Sequence, residues 1–284
     1  MLLGAHVKSS GGVWTAIDEA ARLDCEAIQF FAGSPRTWAP TTYKEADAAR
    51  FREKRATSAV TFCVIHTIYL INLATPRDDF YEKSVAALVG AVTAAEQLGV
   101  EAIVTHVGSH QGAGFETGLG RVRKALRRAL DEVGGSPVRV LLENTAGAGG
   151  TMGVSFVELG AMIDAVGGDE RVGLCVDTAH LFEAGHDLRT RAGIDEALAE
   201  LDSVVDRQRL VMLHLNDSRT PLGSNRDRHE NIGQGELGLA AFREIVNHPA
   251  FAALPGITEV PGFAGDGPDP DNMKILRGLR EKGR

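Results

Sequence analysis

Short, almost wholly apolar runs alternate with longer amphipathic stretches from one end of the chain to the other, and this rhythm restricts the fold more than any other feature. The runs are Leu2–Val7, Ala27–Phe31, Phe62–His66, Ala102–Val107, Val138–Asn144, Val172–Asp177, Leu210–Asn216 and Ile257–Val260. Each has the length of a strand and little in/out alternation, the pattern of parallel strands buried on both faces. Helical patterning covers Val13–Leu23, Lys44–Thr57, Asp79–Leu98, Gly118–Val133, Ser155–Val166, Ile194–Asp206, Leu239–Val246 and Asp271–Glu281. In the clearest of these, Val85, Leu88, Val89 and Val92 recur at helical spacing and Gly99 follows as a stop. Eight strand–helix pairs within 284 residues predict an α/β fold, a (β/α)8 TIM barrel. The rival is a doubly wound open sheet, which usually has fewer strands and opens on a glycine-rich phosphate loop. Gly11-Gly12 follows the first run, but no GxGxxG is present. No linker or low-complexity tract interrupts the series, so residues 1–284 read as a single domain. Ser218–Glu236 and Pro261–Asp271, rich in Gly and Pro, read as loops beside a site.

Composition removes several classes of function. With 44 % hydrophobic and 24 % charged residues, the chain buries enough apolar surface to offset the entropy of ordering, which excludes disorder as its main state. No run of 18 apolar residues occurs, so no membrane span is expected. Met1–Ser10 lacks the charged start and apolar stretch of a signal peptide, and Cys25, Cys63 and Cys175 form no CxxC. Both features point to the reducing cytoplasm. A net charge of −8 argues against coating nucleic acid by bulk attraction, although the field at a site can differ in sign from the total.

The residues that end the runs carry the chemistry. The third ends at His66, the fourth at His106, the fifth at Glu143, the sixth at Asp177, the seventh at His214 and the eighth at Glu259. In a barrel these ends open onto one face. Asp177-Thr-Ala-His180 and Asp227-Arg-His229 add two further pairs, for a set of five imidazoles and four carboxylates. Taken singly, a strand-end His is commonly a hydrogen-bonded structural residue, and Asp177 or the Glu143-Asn-Thr run can cap the next helix. Taken together, nine such groups in one apolar-walled mouth repel or lose solvation unless cations neutralise them. Imidazole and carboxylate without thiolate suit Zn²⁺, with Mn²⁺ or Fe²⁺ as alternatives. The set exceeds what one ion takes, and three ions sharing a bridging carboxylate use it comfortably.

Longer motifs surround these residues. They are Gly4-Ala5-His6-Val7, His66-Thr-Ile-Tyr69-Leu70-Ile-Asn72-Leu73, Glu143-Asn-Thr-Ala-Gly147, Gly173-Leu-Cys-Val-Asp177-Thr-Ala-His180 and Glu183-Ala-Gly-His-Asp187-Leu-Arg-Thr190. The last are His214-Leu-Asn216-Asp217-Ser-Arg-Thr-Pro-Leu-Gly223-Ser-Asn-Arg-Asp227-Arg-His229 and Gly233-Gln-Gly235. In these motifs the chain resembles endonuclease IV, the zinc-dependent family of apurinic/apyrimidinic (AP) endonucleases, almost end to end. The resemblance implies three Zn²⁺ per chain, with Mn²⁺ or Fe²⁺ as an alternative at one site. His66, His106 and Glu143 would hold the first. Glu143 would bridge to the second, completed by Asp177, His214 and Glu259, while His180, Asp227 and His229 would hold the third. It further implies incision of DNA immediately 5′ to an abasic site, leaving a 3′-hydroxyl and a 5′-deoxyribose phosphate, and removal of 3′-blocking groups. Glu143 and Glu259 are the expected catalytic residues, and Arg36, Tyr69 and Leu70 the residues inserted into the duplex. The bland alternatives are that Tyr69 and Leu70 start a helix core and that Arg36 is a solvated loop residue. The expected partner is double-stranded DNA containing abasic sites, with the chain acting as a monomer. Arg77, Arg219, Arg226 and Arg228 are loop cations suited to phosphates. His6 reads as a helper to the ligands, His110, His186 and His248 as structural or surface residues, and Trp14 and Trp38 as packing, with Trp38 also a DNA-contact candidate as a neighbour of Arg36. Ala179, Arg219, Val107 and Val260 depart from the commonest family residues, none at a ligand position. A sugar isomerase or epimerase on the same barrel is the rival function, because fold alone does not separate the two.

Overall fold

Each apolar run supplies a strand to one closed sheet in the computed structural model, which describes residues 1–39 and 41–281. The elements run β1 (Leu2–His6), α1 (Thr15–Leu23), β2 (Ala27–Phe31), α2 (Glu45–Ala56), β3 (Phe62–His66), α3 (Asp78–Leu98) and β4 (Ala102–Thr105). Then follow α4 (Phe115–Glu132), β5 (Arg139–Glu143), α5 (Phe156–Ala165), β6 (Val172–Asp177), α6 (Thr178–Glu183), α7 (Arg191–Val204) and β7 (Leu210–His214). The chain ends through β8 (Asp217–Ser218), β9 (His229–Glu230), α8 (Gly238–Val246), β10 (Pro255–Thr258) and α9 (Pro270–Leu279). Strands β1 to β7 are followed around the barrel by β10, which pairs in parallel with both β7 and β1 and closes the ring. The chain is a TIM barrel, as the strand count predicts.

Residues two apart share a strand face, and this links the core to the mouth. Val64 lies one layer beneath His66, Leu141 beneath Glu143, Cys175 beneath Asp177 and Met212 beneath His214. These four pack with Ala27, Ala102, Val104 and Ile257 in a buried cluster separate from the helix-facing core. An apolar plug therefore fills the barrel and forces the polar residues of the next layer to one rim.

Strands β1, β4, β5, β7 and β10 end one or two residues before the predicted bounds, and in β4 and β10 this leaves a candidate ligand outside the strand. β4 stops at Thr105, whose hydroxyl turns onto the His106 carbonyl at 3.0 Å. β10 stops at Thr258 because the Glu259 N–H donates to Asn216 Oδ1 (2.7 Å) rather than to a neighbouring strand. His106 and Glu259 thus sit one residue past their strands. The six-residue α6 and the β8–β9 ribbon occupy segments without a predicted element, being too short to show a period. The ribbon is set by Asp217, whose buried carboxylate accepts the N–H groups of Gly233 (2.9 Å), Gly235 (3.0 Å) and Leu237 (3.0 Å). A Cβ at Gly235 would meet Ser218 O at 2.3 Å, so only glycine lets the two segments approach this closely.

Candidate metal centre

The nine side chains of the sequence-derived ligand set meet at the carboxyl end of the barrel in three groups. In the first, His66 Nε2 and His106 Nε2 lie 3.3 Å and 3.2 Å from the same oxygen, Glu143 Oε2. In the second, His214 Nδ1 faces Glu143 Oε1 at 2.8 Å, Glu259 Oε2 at 3.3 Å and Asp177 Oδ2 at 3.8 Å. In the third, His180 Nε2 lies 3.3 Å from His229 Nε2 and 3.2 Å from Asp227 Oδ2. His229 Nε2 is also 3.5 Å from Asp227 Oδ1 and 3.7 Å from Asp177 Oδ2. The two oxygens of Glu143 therefore face different groups, and Asp177 Oδ2 stands between the second and third. The other oxygen of Asp177 accepts the His180 N–H at 3.0 Å and caps α6, so its capping role and its place at the rim coexist.

The hydrogen bonds behind the rings fix which nitrogen looks into the mouth. His66 Nδ1 donates to Thr67 O (2.8 Å) and His180 Nδ1 to Asn144 O (3.0 Å), while His214 Nε2 donates to Gln29 Oε1 (2.8 Å). In a neutral ring the opposite nitrogen then presents a lone pair. Lone pairs of His66, His180 and His214 thus point at carboxylate oxygens or at another imidazole, an arrangement that repels unless a cation or protons lie between. Buried His106 Nδ1 has no partner among the described residues. Imidazoles held from behind, with lone pairs converging on carboxylates, form a donor set that fits divalent metal ions. The electrostatics agree. Burial acts to raise the Glu143 pKa, and the adjacent His106 and His214 outweigh it and hold the carboxyl well below its usual range. Burial likewise disfavours charge on His180, and Asp177 and Asp227 reverse this and lift its pKa well above the ordinary value.

Three polar residues behind the rim escaped the sequence reading. Buried Gln29 accepts from His214 and donates to Glu259 Oε1 at 2.5 Å. Asn216 Nδ2 donates to Asp177 Oδ2 at 2.6 Å, and Asn144 Oδ1 accepts the Asp177 N–H at 2.7 Å. Gln29 was detectable as the lone polar residue of the run Ala27–Phe31. His6 Nδ1 lies 2.9 Å from Gln29 Nε2 and 3.4 Å from Glu259, behind the ligand set. His110 Nδ1 accepts the Gly112 and Gly114 N–H groups, His186 packs on Phe156, and His248 caps a short turn through the Ala250 N–H. Trp14 stacks under Arg50 and Trp38 meets Phe80 edge-on, so both pack.

Above the rim opens a cavity of about 1120 Å³, lined by His66, His106, His180, His229 and Glu259 below and Tyr69 beside them. The Tyr69 ring is 64 % exposed, edge-on to Phe31 at 5.2 Å and 6.2 Å from His66. Its N–H donates to Pro35 O (3.0 Å), which ties it to the loop carrying exposed Arg36; Leu70 is half-buried. Arg77 pairs with Asp79 and Arg219 with Glu230.

Comparison with known proteins accounts for this arrangement. Residues 17–280 match the family model described as "Xylose isomerase-like TIM barrel". A protein named probable endonuclease 4 from Methanoculleus marisnigri is 43 % identical over 92 % of this chain and 93 % of its own. The chain belongs to the endonuclease IV family. The probable endonuclease 4 of Halothermothrix orenii is 38 % identical over 98 % of this chain and 99 % of its own. The crystal structure of endonuclease IV from Thermus thermophilus superposes with a TM-score of 0.86 at 35 % identity, covering 98 % of each chain. As a member of the endonuclease IV family, the chain is a nuclease. A D-tagatose 3-epimerase-like protein shares the barrel alone, at 16 % identity and a TM-score of 0.74.

Proposed function

We propose that this chain, working as one domain over residues 1–284, is a DNA-repair enzyme that hydrolyses the backbone immediately 5′ to an abasic site. The products would be a 3′-hydroxyl and a 5′-deoxyribose phosphate, and the same site would remove 3′-blocking groups. The observation that carries the reading is the linkage of three donor groups through Glu143 and Asp177. His66, His106 and Glu143 would hold one Zn²⁺, Glu143, Asp177, His214 and Glu259 a second, and His180, Asp227 and His229 a third. Mn²⁺ or Fe²⁺ is an alternative at one of them. When bound, such ions supply Lewis acidity: they lower the pKa of water toward about 7 and neutralise charge on phosphate oxygens and on the leaving oxygen.

The chain's own residues do the rest. Glu143 presents one oxygen to each of two groups and so fixes their separation. Glu259, held at one oxygen by Gln29, presents the other toward His214 and would accept a proton from attacking water. Tyr69 and Leu70, beside the mouth, would fill the stack that an abasic nucleotide leaves, with Arg36 adding charge next to the phosphates. Extrusion costs least where a base is missing, which would make the missing base itself the basis of selection. A small-sugar enzyme needs neither the group of His180, Asp227 and His229 nor an exposed aromatic at the rim, which favours the nuclease reading.

Incubation with a duplex carrying one abasic analogue, before and after chelation, tests the proposal. The expected result is one cut 5′ to the lesion, lost on chelation and restored by Zn²⁺. Cutting of undamaged duplex at the same rate, or cutting indifferent to chelation, would refute it.

A further inference from the structure

Glu183 closes α6 and is wholly buried, yet none of the roles above uses it. Its Oε1 accepts from Ser218 Oγ (2.7 Å), Thr220 Oγ1 (3.1 Å) and the Arg228 N–H (3.2 Å). Its Oε2 is buried with no partner among the described residues. The carboxyl thus spends all its contacts on the last residue of β8 and on the exposed loop that follows it and ends on Asp227-Arg228-His229. Two main-chain bonds reinforce this docking: the Gly223 N–H donates to Phe182 O (3.1 Å) and the Asn225 N–H to Glu183 O (2.9 Å). The N-terminal turn of α6 carries His180 and its last residue is Glu183, three positions apart and so on one face of the helix. The same helix face therefore presents one imidazole to the third donor group and grips the loop that brings the other two members.

We propose that Glu183 is a positioning residue, a latch that sets Asp227 and His229 against His180 and thereby forms the third metal group. The inference rests on the metal reading above. Asp227 has a side chain 58 % exposed, so packing does little to hold it. Asp217 holds the β8–β9 ribbon from one side, and Glu183 holds both ends of the loop where they leave the ribbon, at Thr220 and at Arg228, one residue from each ligand. A glutamate at this place costs desolvation, since burial raises its pKa against the hydrogen bonds of Ser218 and Arg228. A carboxyl oxygen taking one donor from β8 and two from the loop after it gives that cost a purpose.

The test compares metal-loaded wild type, Glu183→Ala, Glu183→Gln and His229→Ala by elemental analysis of bound metal per chain. Backbone amide hydrogen exchange is followed at Asn225 to His229 in the metal-free proteins. Glu183→Ala should lose one metal equivalent, as His229→Ala does, and its Arg228 amide should exchange at least about tenfold faster than wild type. Glu183→Gln keeps an oxygen for the same three donors and should retain both properties. Full metal retention with unchanged exchange in Glu183→Ala overturns the latch. If His229→Ala holds as much metal as wild type, the third-group reading fails, and the exchange rates alone then decide for or against the latch. If Glu183→Ala does not fold, Thr220→Val removes one of the three donors and should speed Arg228 exchange about threefold; no change there overturns the proposal.

Discussion

Replacing Gln29 by leucine tests whether the metal groups are shaped from behind. Leucine approximates the volume and keeps the strand apolar, so the substitution removes hydrogen bonds rather than packing. Three are lost directly: the acceptor for His214 Nε2–H at 2.8 Å, the donor to Glu259 Oε1 at 2.5 Å and the contact of Nε2 with His6 Nδ1 at 2.9 Å, of which the first two touch the metal-ligand set. Leaving a buried ring N–H without an acceptor costs about 1–3 kcal/mol, and a hydrogen bond to a charged carboxylate is worth about 1.5–3 kcal/mol. Partial relaxation around the site brings the expected loss for the metal-free protein to about 2–4 kcal/mol, read as a lower urea midpoint at unchanged slope. The effect on the loaded protein is separate. Without Gln29, His214 is free to change tautomer and present a proton where Nδ1 should offer its lone pair. Loss of such a partner typically weakens metal binding about 10- to 100-fold. Competition with a chelator of known affinity measures this. A Gln29→Leu protein that releases metal at the wild-type chelator concentration, with an unchanged urea midpoint, would refute the claim that Gln29 orients His214 and Glu259.

Two further outcomes follow, one from Tyr69 beside the mouth and one from His248, which caps the turn that leads into the start of β10. Tyr69→Ala should weaken binding of abasic duplex at least about tenfold while shifting stability by no more than about 0.5 kcal/mol, because the ring is mostly solvated; equal affinity for damaged duplex would count against its role as a wedge. His248 is buried, and burial lowers its pKa against the opposing pull of Asp195. As pH falls through its unfolded value near about 6.5, the unfolded chain takes the proton first and stability drops. His248→Asn keeps a cap for Ala250 without a titrating ring, so its stability should fall less than that of wild type between pH 7.5 and pH 5.5 (roughly the window around that value). Parallel curves would show that His248 does not contribute.

The barrel was readable because burial on both faces leaves a strand no choice but continuous apolar residues, and seven intervening helices plus a last one count themselves. The rim was readable for the complementary reason: a His, Asp or Glu that ends such a run has an apolar layer directly below it, as His66 has Val64. The partition into three groups was not readable from spacing, since Glu143 joins two of them through different oxygens and that depends on side-chain direction. The resemblance supplied a partition, and the geometry adds that Asp177 also approaches His229. The β8–β9 ribbon has no period to read, because two residues per strand are held by the Asp217 carboxylate rather than by a pattern. Gln29 was visible as a polar interruption, but its two partners among the candidate ligands lie on β7 and beyond β10, far away in sequence.

The single main-chain hydrogen bond from Tyr69 to Pro35 has an implication for engineering. It ties the segment that carries the ring to the loop that carries Arg36, so on the proposed function the pair would meet a duplex as one unit. Grafting either segment alone onto another barrel would deliver a probe without its brace. A transplant built to test the proposed damage recognition would carry both segments and the strand ends from which they spring.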